Sequence, residues 1–239
     1  MKTRSIRTTT ALGMALTMLA CAGPAAASTK LVADLKLTSH RPGTPSGATL
    51  HLVWPDNGPD GRPKPEAKGV FVLPKGSRID ESAVPACTAS DEQLRVEGGA
   101  ACPEGSDLGP GQVSFMTGLG APVDPFLLDN EWYHGPHQIF GLFTPHNAPA
   151  PTLVVNRVKI VGASFVATPS LPPGFPPDRK TVPKQSDQRI RKHVSSTGAS
   201  FITTPPKCPR SGKWVSHAAV TYDDGSVDRA TSVTRCRRR

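Results

Sequence analysis

Long apolar runs are missing from this chain. The longest, Ala11 to Ala20, holds ten residues, and a bilayer-spanning helix needs about 20, so no transmembrane anchor is expected. Helix-period segments of useful length are missing too, as is any internal repeat. Nucleophile motifs are absent: there is no Gly-x-Ser-x-Gly elbow and no Ser-x-x-Lys pair. Gly118-Leu119-Gly120 lacks the rest of either phosphate-loop fingerprint. Asp56, Gly58, Asp60 and Gly61 fall short of a calcium loop. Gly58 brings no side-chain oxygen, and Ala67 stands where a bidentate Glu is required. Aromatic residues make up only 5%. Trp54, Trp132, Tyr133, Trp214 and Tyr222 fall mostly in core-facing strand positions, whereas single-strand nucleic-acid readers interleave cations with exposed aromatics. No specific nucleic-acid partner and no cofactor is expected.

What is present points outside the cytoplasm. Lys2, Arg4 and Arg7 precede the short apolar stretch, and Gly23-Pro24-Ala25-Ala26-Ala27-Ser28 follows it. A positive start, a short apolar centre and a small-residue A-x-A site make a secretory signal peptide over 1–27, cut after Ala27. A second reading takes Met18-Leu19-Ala20-Cys21 as a lipoprotein box with Cys21 lipidated, although Met and Leu are poor choices before that Ala-Cys pair. Cleavage after Ala27 leaves 212 of 239 residues, enough for one large all-β domain. It also leaves four cysteines: Cys87, Cys102, Cys208 and Cys236. An even count in an exported chain reads as a disulfide framework with three possible connectivities. Of these the sequence-local one, Cys87–Cys102 with Cys208–Cys236, is favoured, each bridge being worth roughly 2–4 kcal/mol.

The formal net charge is +9, and Lys2, Arg4 and Arg7 carry three of it, so the mature chain keeps +6. Part of the excess forms a basic tail: Arg235, Arg237, Arg238 and Arg239. Such a balance suits anionic cell-wall or membrane-surface polymers as partners, or a plainly solvated surface.

Period-two alternation dominates the rest. Leu31, Ala33, Leu35 and Leu37 share one face of a first strand, and Leu50, Leu52 and Trp54 one face of a second. Gly69–Leu73, Val113–Met116, Phe126–Asp129, Gln138–Phe143, Thr152–Val161, Ala163–Thr168, Arg189–Val194 and Ser200–Thr204 read as further strands. Ser77–Val84 and Thr88–Leu94 offer two short helical turns, the second with a Thr or Ser cap and acids in its first turn. Thr168–Lys184 carries six prolines and is expected to be a long connection excluded from any central strand. Lys213–Tyr222, Asp223-Asp224-Gly225 and Ser226–Thr234 form the strongest hairpin signal, with Trp214, Ala218, Val220 and Tyr222 on one face. That hairpin brings Cys208 and Cys236 together at its open end. The expected fold is all-β: an antiparallel β-sandwich over 28–239 with long Pro/Gly-rich loops and at most one or two short helices.

His134-Gly135-Pro136-His137, with His146 nearby, is the only cluster resembling a metal site. Three imidazoles could serve zinc, with Asp129 and Glu131 as the nearest acids. Gly-Pro, however, points to a loop, and surface histidines are the commoner explanation.

Two stretches carry a resemblance. They are Cys87-Thr88-Ala89-Ser90-Asp91-Glu92 with Ala101-Cys102-Pro103, and Phe201 to Trp214 with Tyr222-Asp223-Asp224-Gly225. The Cys-Pro-x-Ser-Gly-x-Trp run, Cys208 to Trp214, is the most specific part. Together they resemble a group of uncharacterised exported β-rich proteins of high-GC Gram-positive bacteria. The resemblance implies export and the cysteine framework, and carries no activity or site residue. The leading expectation is an exported, non-enzymatic binding or structural β-domain of the envelope or medium. The alternatives are a secreted metal-dependent hydrolase using His134, His137 and His146, and a ligand carrier anchored through Cys21.

Overall fold

The computed structural model describes residues 30–58, 61–146, 154–169 and 181–237. The segment read as a signal peptide, with Cys21, lies outside them. So do most of the Pro-rich connection and the last two arginines of the tail. The strands in chain order are β1 (Val32–Leu37), β2 (Pro45–Ser46), β3 (Ala48–Val53), β4 (Glu66–Val72) and β5 (Arg78–Ile79). There follow β6 (Asp107–Met116), β7 (Phe126–Gly135), β8 (Gln138–Pro145), β9 (Val154–Val161) and β10 (Ser164–Ala167). The last are β11 (Val182–Ile190), β12 (Ile202–Thr203), β13 (Lys213–Tyr222) and β14 (Val227–Arg235). One α-helix, α1 (Asp91–Glu97), lies between β5 and β6. Ser90 caps it, and Gln93 completes a capping box.

The all-β antiparallel class is as expected, but the layers differ. Instead of two stacked sheets, one 11-stranded sheet rolls up in the order β1-β3-β11-β6-β7-β8-β9-β10-β4-β13-β14. Accumulated strand twist lets a sheet this wide curl until its edges meet. Every neighbouring pair within it is antiparallel. With an odd number of strands, the first and last must then point the same way. The seam between β1 and β14 is therefore parallel by parity.

Side-chain hydroxyls, not a backbone ladder, tie this seam. Ser232 Oγ donates to Leu35 O at 2.7 Å and accepts from Leu35 N at 2.9 Å. Thr234 Oγ1 accepts from Leu37 N at 3.1 Å. Both hydroxyl residues are buried. Ser232→Ala would strip both Leu35 backbone groups of their partner. We expect a loss of about 1–3 kcal/mol of unfolding free energy, read from the urea midpoint.

Alternation points Leu35, Leu52, Val113, Leu128, Ile139, Val158 and Phe165 inward, all buried. The outer face carries Asp34, Lys36, His51, Asp129, Glu131 and Asp187. At one end, here the floor, the barrel is plugged by a three-stranded sheet, β2-β12-β5, with Phe201 and Ile202 fully buried. The opposite end, the mouth, gathers the C-terminal ends of β3, β6, β8 and β10 and the N-terminal ends of β4, β7, β9 and β11. Outside the wall, α1 sets Leu94 against Phe140, Leu142 and Val155. Arg157 holds α1 through Asp91 and lies 5.3 Å from the Phe140 ring centroid.

Both expected bridges are present. Cys87–Cys102 staples α1 at its base, and Cys208–Cys236 closes the open end of the β13–β14 hairpin.

Two expectations need correction. The prolines predict a connection running through Lys184, and the sequence pattern a short strand at Arg189–Val194. In fact β11 begins at Val182 and is central, between β3 and β6. Pro183 is tolerated because pairing with β3 starts only at Gln185, while a register shift between Pro183 and Gln185 absorbs the extra residue on the β6 side. The segment His134-Gly135-Pro136-His137 is not a free loop either. β7 runs through His134 and Gly135, so only Pro136 and His137 turn the chain, His137 at φ +57°.

Candidate functional site

The barrel interior is not completely filled. A cavity of about 160 Å³ lies within it, lined mainly by apolar side chains such as Leu52, Phe71, Leu128, Phe143, Val158 and Phe165. Well-packed interiors hold few voids larger than a water molecule, so a space this size in the middle of a fold is a feature to explain.

Polar groups break the apolar lining in two places. Midway down one wall, Gln188 Oε1 accepts from Trp132 Nε1 at 2.6 Å and from Asn130 Nδ2 at 3.1 Å. Gln188 Nε2 donates to Ser186 Oγ at 2.8 Å and to Gln112 O at 3.1 Å. This side chain uses all its valences within the wall. It fits only because Gly111 stands opposite, where a Cβ would fall 1.7 Å from Gln188 Oε1.

At the mouth the situation is reversed. Glu66 from β4 and Trp54, just past the end of β3, meet across the opening. Glu66 keeps some exposed surface as a residue, but its carboxyl is packed against the Phe71 ring, over Gly69, where an added Cβ would sit 2.7 Å from Oε1. Burial pushes its pKa from the ordinary 4.5 up to about 7, and the nearby Trp54 indole holds it back only in part. Despite that influence, Trp54 Nε1 is buried with no partner at hydrogen-bonding distance. Asn156, on the inward face of β9, likewise leaves Oδ1 buried and unpartnered. Both line the cavity. Native folds pair nearly all buried polar atoms. Of the six such side-chain atoms among the described residues, Trp54 Nε1 and Asn156 Oδ1 line the cavity, where a bound molecule could reach them.

Compared with models of protein families, with curated proteins and with solved structures, the chain matches none. Its site must therefore be read from its own geometry.

Two of the three histidines, His134 and His137, approach one carboxylate, Glu81, at 3.5 Å and 3.4 Å, but His146 lies apart from them. His134 is buried near the floor, its Nδ1 3.0 Å from Val84 O and its ring edge-on to Phe201. Exposed His137, at the turn, donates its backbone N–H to Glu81 at 2.8 Å. His146 sits at the mouth, 2.8 Å from Asp129 on the outer wall. Nine residue steps along β8 separate His137 from His146, on the order of 30 Å at about 3.3 Å per residue. Among the described residues no group of three His, Cys, Asp or Glu side chains is placed to hold a metal ion.

Sequence reasoning missed Glu66, Trp54, Asn156 and Gln188 as site residues. Asn156 and Gln188 left a trace, being polar positions in phase with apolar ones. Glu66 left none. A register shift places Tyr222 opposite Glu66 although Thr221 lies opposite Lys68, so Ala67 is an extra residue in β4. That bulge turns Glu66 inward, against the simple alternation set by Gly69 and Phe71.

Proposed function

We propose that this chain is an exported β-barrel that binds a small, mostly apolar molecule inside the barrel. The observation that carries the reading is the interior cavity with unpartnered polar atoms at its mouth. Small-molecule sites have this composition, an apolar body with a few polar groups that fix orientation. The volume is near that of an engineered apolar cavity that takes up benzene, so the body accommodated is about one ring in size. The charged outer face and apolar interior are the inverse of a membrane barrel, which presents an apolar band outward. No helix among the described residues is long and apolar enough to cross a membrane.

Export is supported by the two bridges, which persist in oxidising compartments, and by the resemblance carried by Cys208 to Trp214. The excess of cations favours residence near anionic wall or membrane-surface polymers. Processing at Cys21 would make the same barrel a tethered carrier, and the mass of the mature N-terminus distinguishes the two.

Toluene tests the reading. Binding to the folded state alone raises the melting temperature in a concentration-dependent way. In the natural chain we expect that rise, with chemical-shift changes at Leu128, Phe143 and Phe165. Ala167→Phe, which puts a ring into the cavity, is expected to abolish the response while the barrel still folds. A natural chain indifferent to toluene removes the proposal.

A further inference from the structure

The mouth also carries information about the polar end of the ligand. Resting on the carrier reading above, we propose that the molecule bound is a small organic amine, held as its ammonium with Glu66 as counter-charge and its apolar body inside the barrel.

Three observations lead there. First, acceptors at the opening are left for a ligand, whereas the Trp54 Nε1–H donor already has the Glu66 carboxyl beside it. Asn156 Oδ1 has no donor, and no cation among the described residues pairs with the Glu66 carboxyl. An ammonium brings three donors and no acceptor, the complement of such a pair. Second, Asn156 and Glu66 stand at the same height. The ladders set Ala167 opposite both Val158 and Gly69. The next inward positions towards the mouth are Asn156 on β9 and, through the bulge, Glu66 on β4. Only β10 lies between these strands, so their backbones are about 10 Å apart at the usual inter-strand spacing. One small head group can reach both side chains. Third, the surrounding charge is negative. Tyr222 on β13 faces Glu66 and donates to Asp228 on β14 at 2.9 Å. Lys64, 5.8 Å from the Tyr222 ring centroid, is engaged by Asp224 at 2.8 Å and Ser226 at 3.2 Å. Lys184, beside Trp54, is paired with Asp56. Lys68, next along β4, is on the exposed face. Glu66, Asp224 and Asp228 thus stand together on this side of the mouth with Lys64 held by Asp224, while Arg62 donates to Met116 O at the end of β6. The electron-rich Trp54 ring, already within reach of Glu66, adds a surface that attracts cations.

A carboxylic acid would bring like charge to Glu66. A neutral alcohol could use Asn156 but would leave the carboxylate without a counter-charge. Both are outcomes the test distinguishes.

The experiment titrates the mature protein at pH 8 with benzylamine, benzyl alcohol, benzoate and toluene, by calorimetry and by chemical shift. These share one ring and differ in the head group. Benzylamine is expected to bind at least tenfold more tightly than benzyl alcohol, and benzoate most weakly. Glu66→Gln is expected to erase the benzylamine advantage over benzyl alcohol while the variant still takes up toluene. In the natural chain, benzylamine affinity should rise between pH 5.5 and pH 8 as Glu66 ionises, while toluene affinity stays level. That readout holds even if the variant fails to fold. Equal or tighter binding of benzyl alcohol or benzoate overturns the amine assignment and leaves the carrier standing. If none of the four binds, toluene included, the carrier itself falls and the amine assignment falls with it.

Discussion

Gln188→Ala is expected to lower the stability of the barrel by about 4 kcal/mol, the largest effect of any single substitution considered. The side chain serves four buried or wall-bound partners at once. It is the acceptor for Trp132 Nε1 and Asn130 Nδ2, and the donor to Ser186 Oγ and Gln112 O. Trp132 and Asn130 are buried, and Asn130 Oδ1 already lacks a partner. Truncation leaves two buried donors unsatisfied at once, at about 1–3 kcal/mol each, plus the cavity left by the missing atoms. The result is asymmetric in a way that can be checked. Gln188→Met together with Trp132→Phe removes donor and acceptor together, and should cost much less than the two single changes summed. A double-mutant cycle in urea, read at constant m-value, measures that coupling. Gly111→Ala should mimic Gln188→Ala without touching the glutamine, because its methyl would occupy the position of Gln188 Oε1. A Gln188→Ala variant within 1 kcal/mol of the natural chain would mean that the network is not what holds this wall.

The same residues show what alternation can reveal and where it fails. Strands β1, β3, β10 and β13 were legible because apolar residues fall on every second position, β9 through its dense run of valines and isoleucine, and β14 because Asp224-Gly225 supplies the turn that pairs it with β13 in a hairpin, with Gly225 at φ +79°. The cysteine pairing was legible through that same hairpin. β11 was not, because its inward face reads Ser186, Gln188, Ile190 and looks like loop. Its interior role is visible only once Trp132 and Asn130 are brought to it from β7. Sandwich and barrel also look alike one strand at a time. The difference lies in long-range pairings such as β4 with β10 and β13, and in Ser232 and Thr234 reaching across the seam to β1. The Glu66 position was the least accessible. A single extra residue in β4 reverses the facing of everything before it, and no local property of Pro65-Glu66-Ala67-Lys68 announces that reversal.

That reversal has a thermodynamic consequence. Glu66 binds its proton more tightly in the folded state, near pH 7, than in the unfolded chain, where the ordinary value is 4.5. Between these limits the folded state holds the extra proton, so stability falls as pH rises and levels off above about 7. The full span corresponds to on the order of 3 kcal/mol, taking each pKa unit as 1.36 kcal/mol. Glu66→Gln removes this titration. The variant should match the natural chain near pH 4.5 and exceed it at pH 8, keeping only the shallower slope of Glu131, whose carboxyl burial also raises against the pull of Arg191. The depressed carboxylates work in the opposite sense and below this window. Asp124 is held low by N–H groups of Thr117, Gly118 and Gly120, which together outweigh its burial, and Asp187 by Gln185 and His51 against the same opposing effect. Their stabilisation is lost only as pH falls through the acid range. A downward slope from pH 4.5 to pH 7 in the natural chain that persists undiminished in Glu66→Gln would assign the proton to another group. If most of the slope disappears in the variant, Glu66 is the ionisable group that sets the charge at the barrel mouth.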